Sequence, residues 1–386
     1  MGGPGAQSGR ARGSGRAVRP RGCGGPTLAR APLGPAILPH MILRDEILEQ
    51  PEVAARFLER APAVMEPLAA AIRARGVEHV VIAGRGTSDH AAIYAQYVLG
   101  IRHGLSVGLG TPSVISLYGA RPRLDRSLVI GISQSGASPD VAGFIAEGRR
   151  QGALTVAITN DPASPLAIAA ETTIDLGVVP ERAIAATKTY TTELLAIAAL
   201  SVALHPDAAA DAAHLAAIPD ALASVCAVEP EVIAMSADQA SADRLLILAR
   251  GYEYATAREW SLKLKELSHV FADPYSAADF EHGPLALTES GVPVIAMVRR
   301  GPTRDGLVRL LERMRDDLSA DLAIVSDDEE ALRLARWPLR LPAGTPEWLG
   351  PIVSIVVGQL HALHLTRARG LDPEAPRHIR KVTRTS

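Results

Sequence analysis

A rhythm in the sequence limits what this chain can fold into. Short runs of β-branched and aliphatic residues, apolar on both faces, recur between Ala-rich stretches of helical periodicity. The runs are His79–Ala83, Ser127–Ile130, Leu154–Ile158, Leu245–Leu248, Val294–Met297 and Leu322–Val325. A strand apolar on both faces must be covered on both, and parallel strands sandwiched between helices meet that need. The expected fold class is therefore α/β, with doubly wound parallel sheets flanked by helices. The spacing also repeats. "VVIAGRGTSDHA" at 80–91 has a counterpart in "LLILARGYEYATA" at 245–257, and "SLVIGISQSG" at 127–136 has one in "VPVIAMVRRG" at 292–301. Both pairs are offset by about 165 residues, which predicts a duplicated domain.

The segments follow from this register: a Gly/Arg-rich tail over 1–40, a helical lead-in over 41–75, a first domain over 76–205, a helical join over 206–240 entered through Pro206, a second domain over 241–370 and a closing tail over 371–386. The tail to residue 40 is rich in Gly, Pro and Arg and has no acidic residue, so it cannot offset its ordering entropy and is expected to be disordered. It lacks the uninterrupted apolar stretch of a secretion signal. Ile352–Leu360 is too short to span a membrane and reads as a buried helix.

Composition narrows the partner. Forty Lys and Arg against 42 Asp and Glu leave a net charge of −2, which gives no basic field for nucleic acid or anionic lipid. A small-molecule ligand is expected. The two cysteines, Cys23 and Cys226, are too few for a disulfide framework and suit a reducing, cytoplasmic setting.

In an open parallel sheet, ligands sit beyond the carboxyl ends of the strands. Gly84-Arg85-Gly86-Thr87-Ser88 and Ser133-Gln134-Ser135-Gly136-Ala137-Ser138 both fall there. Each combines glycines, which let a backbone approach closely, with hydroxyls and a following helix N-terminus that favours an anion. A Walker loop is absent, and the dinucleotide fingerprint fails where Asp89 replaces its third glycine. Such loops can also be ordinary helix caps. Two of them on one sheet favour a ligand with a phosphate at one end and hydroxyls along the rest, which is a sugar phosphate.

Six blocks, "GRGTSDHA", "ISQSGASPD", "AIAATKTYTTEL", "ARGYEYATAREWSLKLKELSHV", "YSAADFEHGPLAL" and "APRHIRKVTRTS", come in the order of the sugar-isomerase (SIS) superfamily. Over about residues 45–386 the chain resembles the double-SIS isomerase half of glucosamine-6-phosphate synthase and the stand-alone glucosamine-6-phosphate deaminases. The resemblance implies two tandem SIS domains of flavodoxin-like winding, no cofactor and no metal. It makes Glu266 the proton-shuttling carboxylate and Lys263 its supporting lysine. It assigns ring opening to His282, contributed across a homodimer interface, and Schiff-base chemistry to Lys381. It places Thr87, Ser88, Ser133, Gln134, Ser135, Ser138, Thr187, Lys188 and Arg377 around the substrate.

The residues themselves are compatible with these roles and with plainer ones. Lys263 and Glu266, three apart, would share a helical face as a solvated ion pair or as a reacting pair. One carboxylate that reaches both C1 and C2 suffices for the proton transfer. An imidazole such as His282 titrates near neutrality, and an amine such as Lys381 can activate a carbonyl. His361 and His364 could share a face, but no acidic partner is near in sequence and a metal role is not expected.

Ala137, Ser138 and Ala186 depart from the synthase pattern toward the deaminase group. No glutaminase domain headed by a nucleophilic cysteine is recognisable, and Cys23 has no folded context. The expected activity is conversion of glucosamine 6-phosphate to fructose 6-phosphate and ammonia, or the reverse. A related enzyme for galactosamine 6-phosphate or a fructosamine 6-phosphate, and a non-catalytic sugar-phosphate sensor, remain open.

Overall fold

All six two-sided apolar runs are strands, and four further strands flank them. The structure is a computed structural model that describes residues 1–3, 41–205 and 209–381. The expected disorder of 1–40, the join at Pro206, the internal Cys23 and the last five residues lie, but for residues 1–3, outside the described residues.

The first sheet contains β1 (His79–Ala83), β2 (Ser106–Leu109), β3 (Ser127–Ile132), β4 (Leu154–Thr159) and β5 (Thr172–Asp175), in the order β2-β1-β3-β4-β5. The second contains β6 (Arg244–Ala249), β7 (Phe271–Ser276), β8 (Pro293–Val298), β9 (Asp321–Ser326) and β10 (Trp337–Arg340), in the order β7-β6-β8-β9-β10. Every pairing is parallel, with Ile82 opposite Ile130 in one sheet and Leu248 opposite Ala296 in the other. β1 and β6, β2 and β7, and β5 and β10 begin 165 residues apart (79 to 244, 106 to 271, 172 to 337). The duplication read from sequence thus extends to the whole sheet.

β2, β5, β7 and β10 carried no two-sided apolar signal, and each is an edge strand. β2 (SVGL) and β10 (WPLR) are four residues long and largely exposed, because an edge has only one neighbour to pack beside. In each sheet the winding reverses between the first and third strands. At that point the loops leaving β1 and β3 turn in opposite directions and open a crevice.

The core is continuous from one sheet to the other and is built on buried helices. The helix Thr87–His103 packs on Lys188–Leu204 and on Tyr254–Lys263, which in turn packs on Gly350–Ala368. The last is apolar and long enough to cross a membrane, yet its whole apolar window is buried inside the protein, as befits a core helix. Its two histidines serve packing. His361 Nδ1 accepts a bond from Trp260 Nε1 at 3.1 Å, and His364 Nε2 meets Glu229 at 2.9 Å. Burial lowers the His361 pKa to about 3, so that imidazole stays neutral. Cys226 is a free thiol that donates to the Leu222 carbonyl within its helical turn.

Trp260 also explains a glycine. A Cβ on Gly358 would lie 2.7 Å from Trp260 Cδ2, so the two helices can approach this closely only because residue 358 has no side chain. Gly358→Ala should lower stability by about 1–3 kcal/mol through overpacking, read as a fall in Tm. Gly143 is exposed on its helix, and a Cβ there would meet nothing within 4 Å, which gives the opposite expectation. Gly143→Ala should raise stability by about 0.5–1 kcal/mol.

Candidate active site

The crevice at the first sheet is shaped by backbone before side chains enter. Gly86 (φ 55°) and Gly136 (φ 59°) both hold a positive φ that side chains disfavour, and a Cβ on Gly136 would strike Ser164 Oγ at 2.0 Å. The loops after β1 and β3 are thereby folded tightly against the strand ends. Ser138 occupies the N-cap position of the helix Pro139–Arg150 without a side-chain capping bond, and the N-cap of Thr87–His103 is Gly86. Ser133 Oγ accepts from the Gly136 amide at 3.2 Å and Ser135 Oγ from the Ala137 amide at 3.3 Å. Both hydroxyls spend their oxygens on the loop, which leaves their protons for an acceptor in the crevice.

Opposite these loops, the helix Tyr254–Lys263 brings charge from the second domain. Glu259 is fully buried. Its Oε1 accepts from Thr87 Oγ1 at 3.0 Å, its Oε2 lies 2.7 Å from His90 Nδ1, and Lys263 Nζ stands 3.4 Å from Oε1. Lys263 Nζ donates to Glu266 Oε2 at 2.7 Å. Burial works against the Lys263 ammonium, but Glu259 and Glu266 outweigh it and hold its pKa above the ordinary lysine range. Lys263 is therefore a fixed cation, unsuited to accept protons at neutral pH. The helix does not stay regular here: Leu264–Ser268 is a π-helical turn that ends at His269 in a left-handed conformation (φ 55°). The widened turn presents Glu266 partly exposed, whereas Lys263 is buried.

A second ion pair comes from the C-terminal segment. Lys381 Nζ donates to Glu181 Oε2 at 2.9 Å. Glu181 is buried and also accepts from Gln134 Nε2 at 2.7 Å, from the Thr187 amide at 2.8 Å and from the Thr189 hydroxyl at 3.1 Å. Burial pushes its carboxyl up, yet Lys381 and the Thr187 and Thr189 amides prevail and hold it below the usual carboxylate value. The lead-in helix supports this corner, since Glu46 accepts from the amides of Arg182 and Ala183.

These elements surround one cavity of ≈ 450 Å³. Of the residues expected at the site, Thr87, Ser88, Ser133, Gln134, Ser135, Ser138, Lys263, Glu266 and Lys381 line it. Four do not. Thr187 points its hydroxyl at Glu181 (3.1 Å), and Lys188 is buried away from the cavity against Glu49 (2.6 Å) and Glu46 (3.5 Å). Their neighbours Ala186 and Thr189 line the wall instead. Arg377 is exposed, and Arg380 takes the lining position. His282 is exposed at the end of the helix Ala277–Glu281, outside this cavity. Sequence reasoning missed Glu181, Glu193 and Glu259. Only Glu259 carried a signal, because positions 259, 263 and 266 share one helical face.

The SIS domain family matches this chain twice, over residues 75–203 and 240–368. The glutamine–fructose-6-phosphate aminotransferase (isomerizing) of Thermococcus kodakarensis is 32% identical over 356 residues, covering 89% of this chain and 58% of the relative. The chain thus spans somewhat over half the length of that curated relative. Among solved structures, a candidate phosphosugar isomerase from Silicibacter pomeroyi is 32% identical with a TM-score of 0.78, covering 86% of this chain and 100% of that one. The C-terminal domain of glucosamine-fructose-6-phosphate aminotransferase from Francisella tularensis is 25% identical with a TM-score of 0.77, covering 88% of this chain and 99% of that one.

Removing the Glu181 carboxylate would strand Lys381, Gln134 and two threonines. Glu181→Ala should cost about 3–5 kcal/mol at pH 7, measured by denaturant unfolding. Because the folded pKa is depressed, this contribution is present above the unfolded value and is lost as pH falls through the folded one. The gap in stability between wild type and variant should therefore narrow as pH falls below the ordinary carboxylate range and through the depressed folded value.

Proposed function

The chain belongs to the SIS family of sugar-phosphate isomerases, with two tandem copies of the domain, and from that premise we propose that it is an amino-sugar-phosphate deaminase and isomerase. The substrate we favour is glucosamine 6-phosphate, converted to fructose 6-phosphate and ammonia, or the reverse. The observation that carries the reading is the meeting in one cavity of a carboxylate held by a buried ammonium, Glu266 on Lys263 at 2.7 Å, with Lys381 and the hydroxyl loops.

In this reading the hydroxyls of Ser88, Ser133, Ser135 and Ser138 receive the phosphate, and Thr87 and Gln134 help hold the sugar. After ring opening, Glu266 takes the proton from C2 of the aldose and returns it to C1. The resulting C2 imine adds water and expels ammonia, which leaves the ketose. Lys263 stays charged throughout and fixes the carboxylate in reach of both carbons. In the amination direction Lys381, after passing its proton to Glu181, attacks the C2 carbonyl of the open ketose and forms a Schiff base with loss of water, and ammonia then displaces the lysine to give the C2 imine. The exposed His282 would protonate the ring oxygen in a neighbouring copy, which makes the homodimer the working unit. Arg377 would then act from the closing tail, and Thr187 and Lys188 from behind the wall rather than on the sugar.

Ala137, Ser138 and Ala186, which depart from the synthase pattern, support the deaminase reading over the synthase one. The test is ammonia release from purified protein offered glucosamine 6-phosphate, galactosamine 6-phosphate and their N-acetylated forms. Glucosamine 6-phosphate should release ammonia, and Glu266→Gln should lower kcat by about a hundredfold to ten-thousandfold, the range of a lost general acid–base group. Release from galactosamine 6-phosphate alone would change the sugar. Release from none, with fructose 6-phosphate still bound, would overturn the deaminase reading in favour of a sensor or of an amine adduct such as a fructosamine 6-phosphate.

A further inference from the structure

One acidic residue lining the cavity has no part in the reaction so far. Glu193, on the helix Lys188–Leu204, has 1% of its surface exposed. Its Oε1 lies 2.8 Å from Ser88 Oγ, and its buried Oε2 has no hydrogen-bond partner among the described residues. The neighbouring Glu181, Glu259 and Glu266 each meet a lysine. A buried carboxylate with one hydrogen bond and no such cation is costly in its charged form, and an acid in that position takes up a proton.

We propose that Glu193 is a neutral acid that positions Ser88 for a phosphate: its O–H donates to Ser88 Oγ, which turns the Ser88 proton toward the ligand. This rests on the reading that the hydroxyl loops hold the substrate's phosphate. The 2.8 Å separation serves either donor. When Glu193 loses its proton to solvent the bond reverses. Ser88 then donates to the carboxylate, offers only lone pairs to the cavity, and a negative charge stands beside the phosphate. Phosphate binding to that form must take up one proton.

The groups around Glu193 set where this occurs. Glu259 and Lys263 face it from the helix Tyr254–Lys263, Glu181 from the segment before its own helix, and Tyr190 from the preceding turn. His90 is tied to Glu259, Lys381 to Glu181, and Lys188 to Glu46 and Glu49. Burial is the largest influence and raises the Glu193 pKa. Ser88 and Lys263 lower it, Glu259 and Glu181 raise it, and the balance is about 8. The binding-competent form therefore predominates below pH 8 and fades above it.

Calorimetric titration of fructose 6-phosphate between pH 7 and 9 tests this, because a sugar phosphate with a second pKa near 6 is already doubly charged across that range. Wild type should bind about tenfold more weakly at pH 9 than at pH 7, the change expected for one linked proton. At pH 9 it should also take up close to one proton on binding, read from the heat in buffers of different ionisation enthalpy. Glu193→Gln, whose amide donates to Ser88 at any pH, should bind with no such slope. Ser88→Ala should bind more weakly at pH 7 and keep only a reduced slope, the part that comes from the Glu193 charge beside the phosphate. Equal pH profiles in wild type and Glu193→Gln, or undiminished binding by Ser88→Ala at pH 7, would overturn the role of Glu193 and leave the sugar-phosphate reading intact. Absence of binding at every pH in wild type would overturn that reading and this inference with it.

Discussion

Burying the Lys263 ammonium creates a demand for negative charge that organises the site. Glu259 and Glu266 meet it from the same helix, and Glu259 is tied in turn to Thr87 and His90 on the first domain's leading helix. One buried carboxylate thus connects the loop after β1 to the helix that carries the reacting pair. Removing one partner of such a network costs about 3–5 kcal/mol, because a buried charge is left uncompensated. The reach of Glu266 into the cavity is consequently set by the same contacts that hold the two domains' helices together.

The two copies of the domain have diverged at the same structural positions. Ser88 lies nine residues after the start of β1, and Glu253 lies nine after the start of β6. Ser133 lies six after the start of β3, and Arg299 six after the start of β8. In the first copy these residues are small hydroxyls facing a cavity. In the second, Glu253 is buried against Thr256 and Ser354, and Arg299 is buried with a bond to the Thr345 carbonyl. The second copy has filled its own crevice with internal polar contacts. It contributes a helix and a π turn to the first copy's site.

How much could be read from sequence follows the same physics. Central strands were legible because burial on both faces demands unbroken apolar runs, and the 165-residue register was legible because both sheets keep that demand. The edge strands β2, β5, β7 and β10 were not, since an edge needs no such run. At the site, the loop hydroxyls stood out through local pattern, whereas the spacing of Lys263 and Glu266 left a solvated ion pair open and only the family resemblance singled them out. Glu181 did not, because its value comes from Lys381, 200 residues away in sequence. Lys188 looked like a ligand contact next to Thr187, but the lead-in helix claims it through Glu46 and Glu49. A sequence pattern can place a residue on an element; which wall it faces depends on charges brought from elsewhere.

The central claim is that Glu266 moves a proton between C1 and C2 of a bound sugar phosphate. The direct measurement is proton NMR of fructose 6-phosphate incubated with the protein in deuterated water. The account predicts deuterium entering at C1 with wild type, and its loss in Glu266→Gln while binding is retained. Bound fructose 6-phosphate with no exchange in wild type, or exchange undiminished in Glu266→Gln, would contradict it.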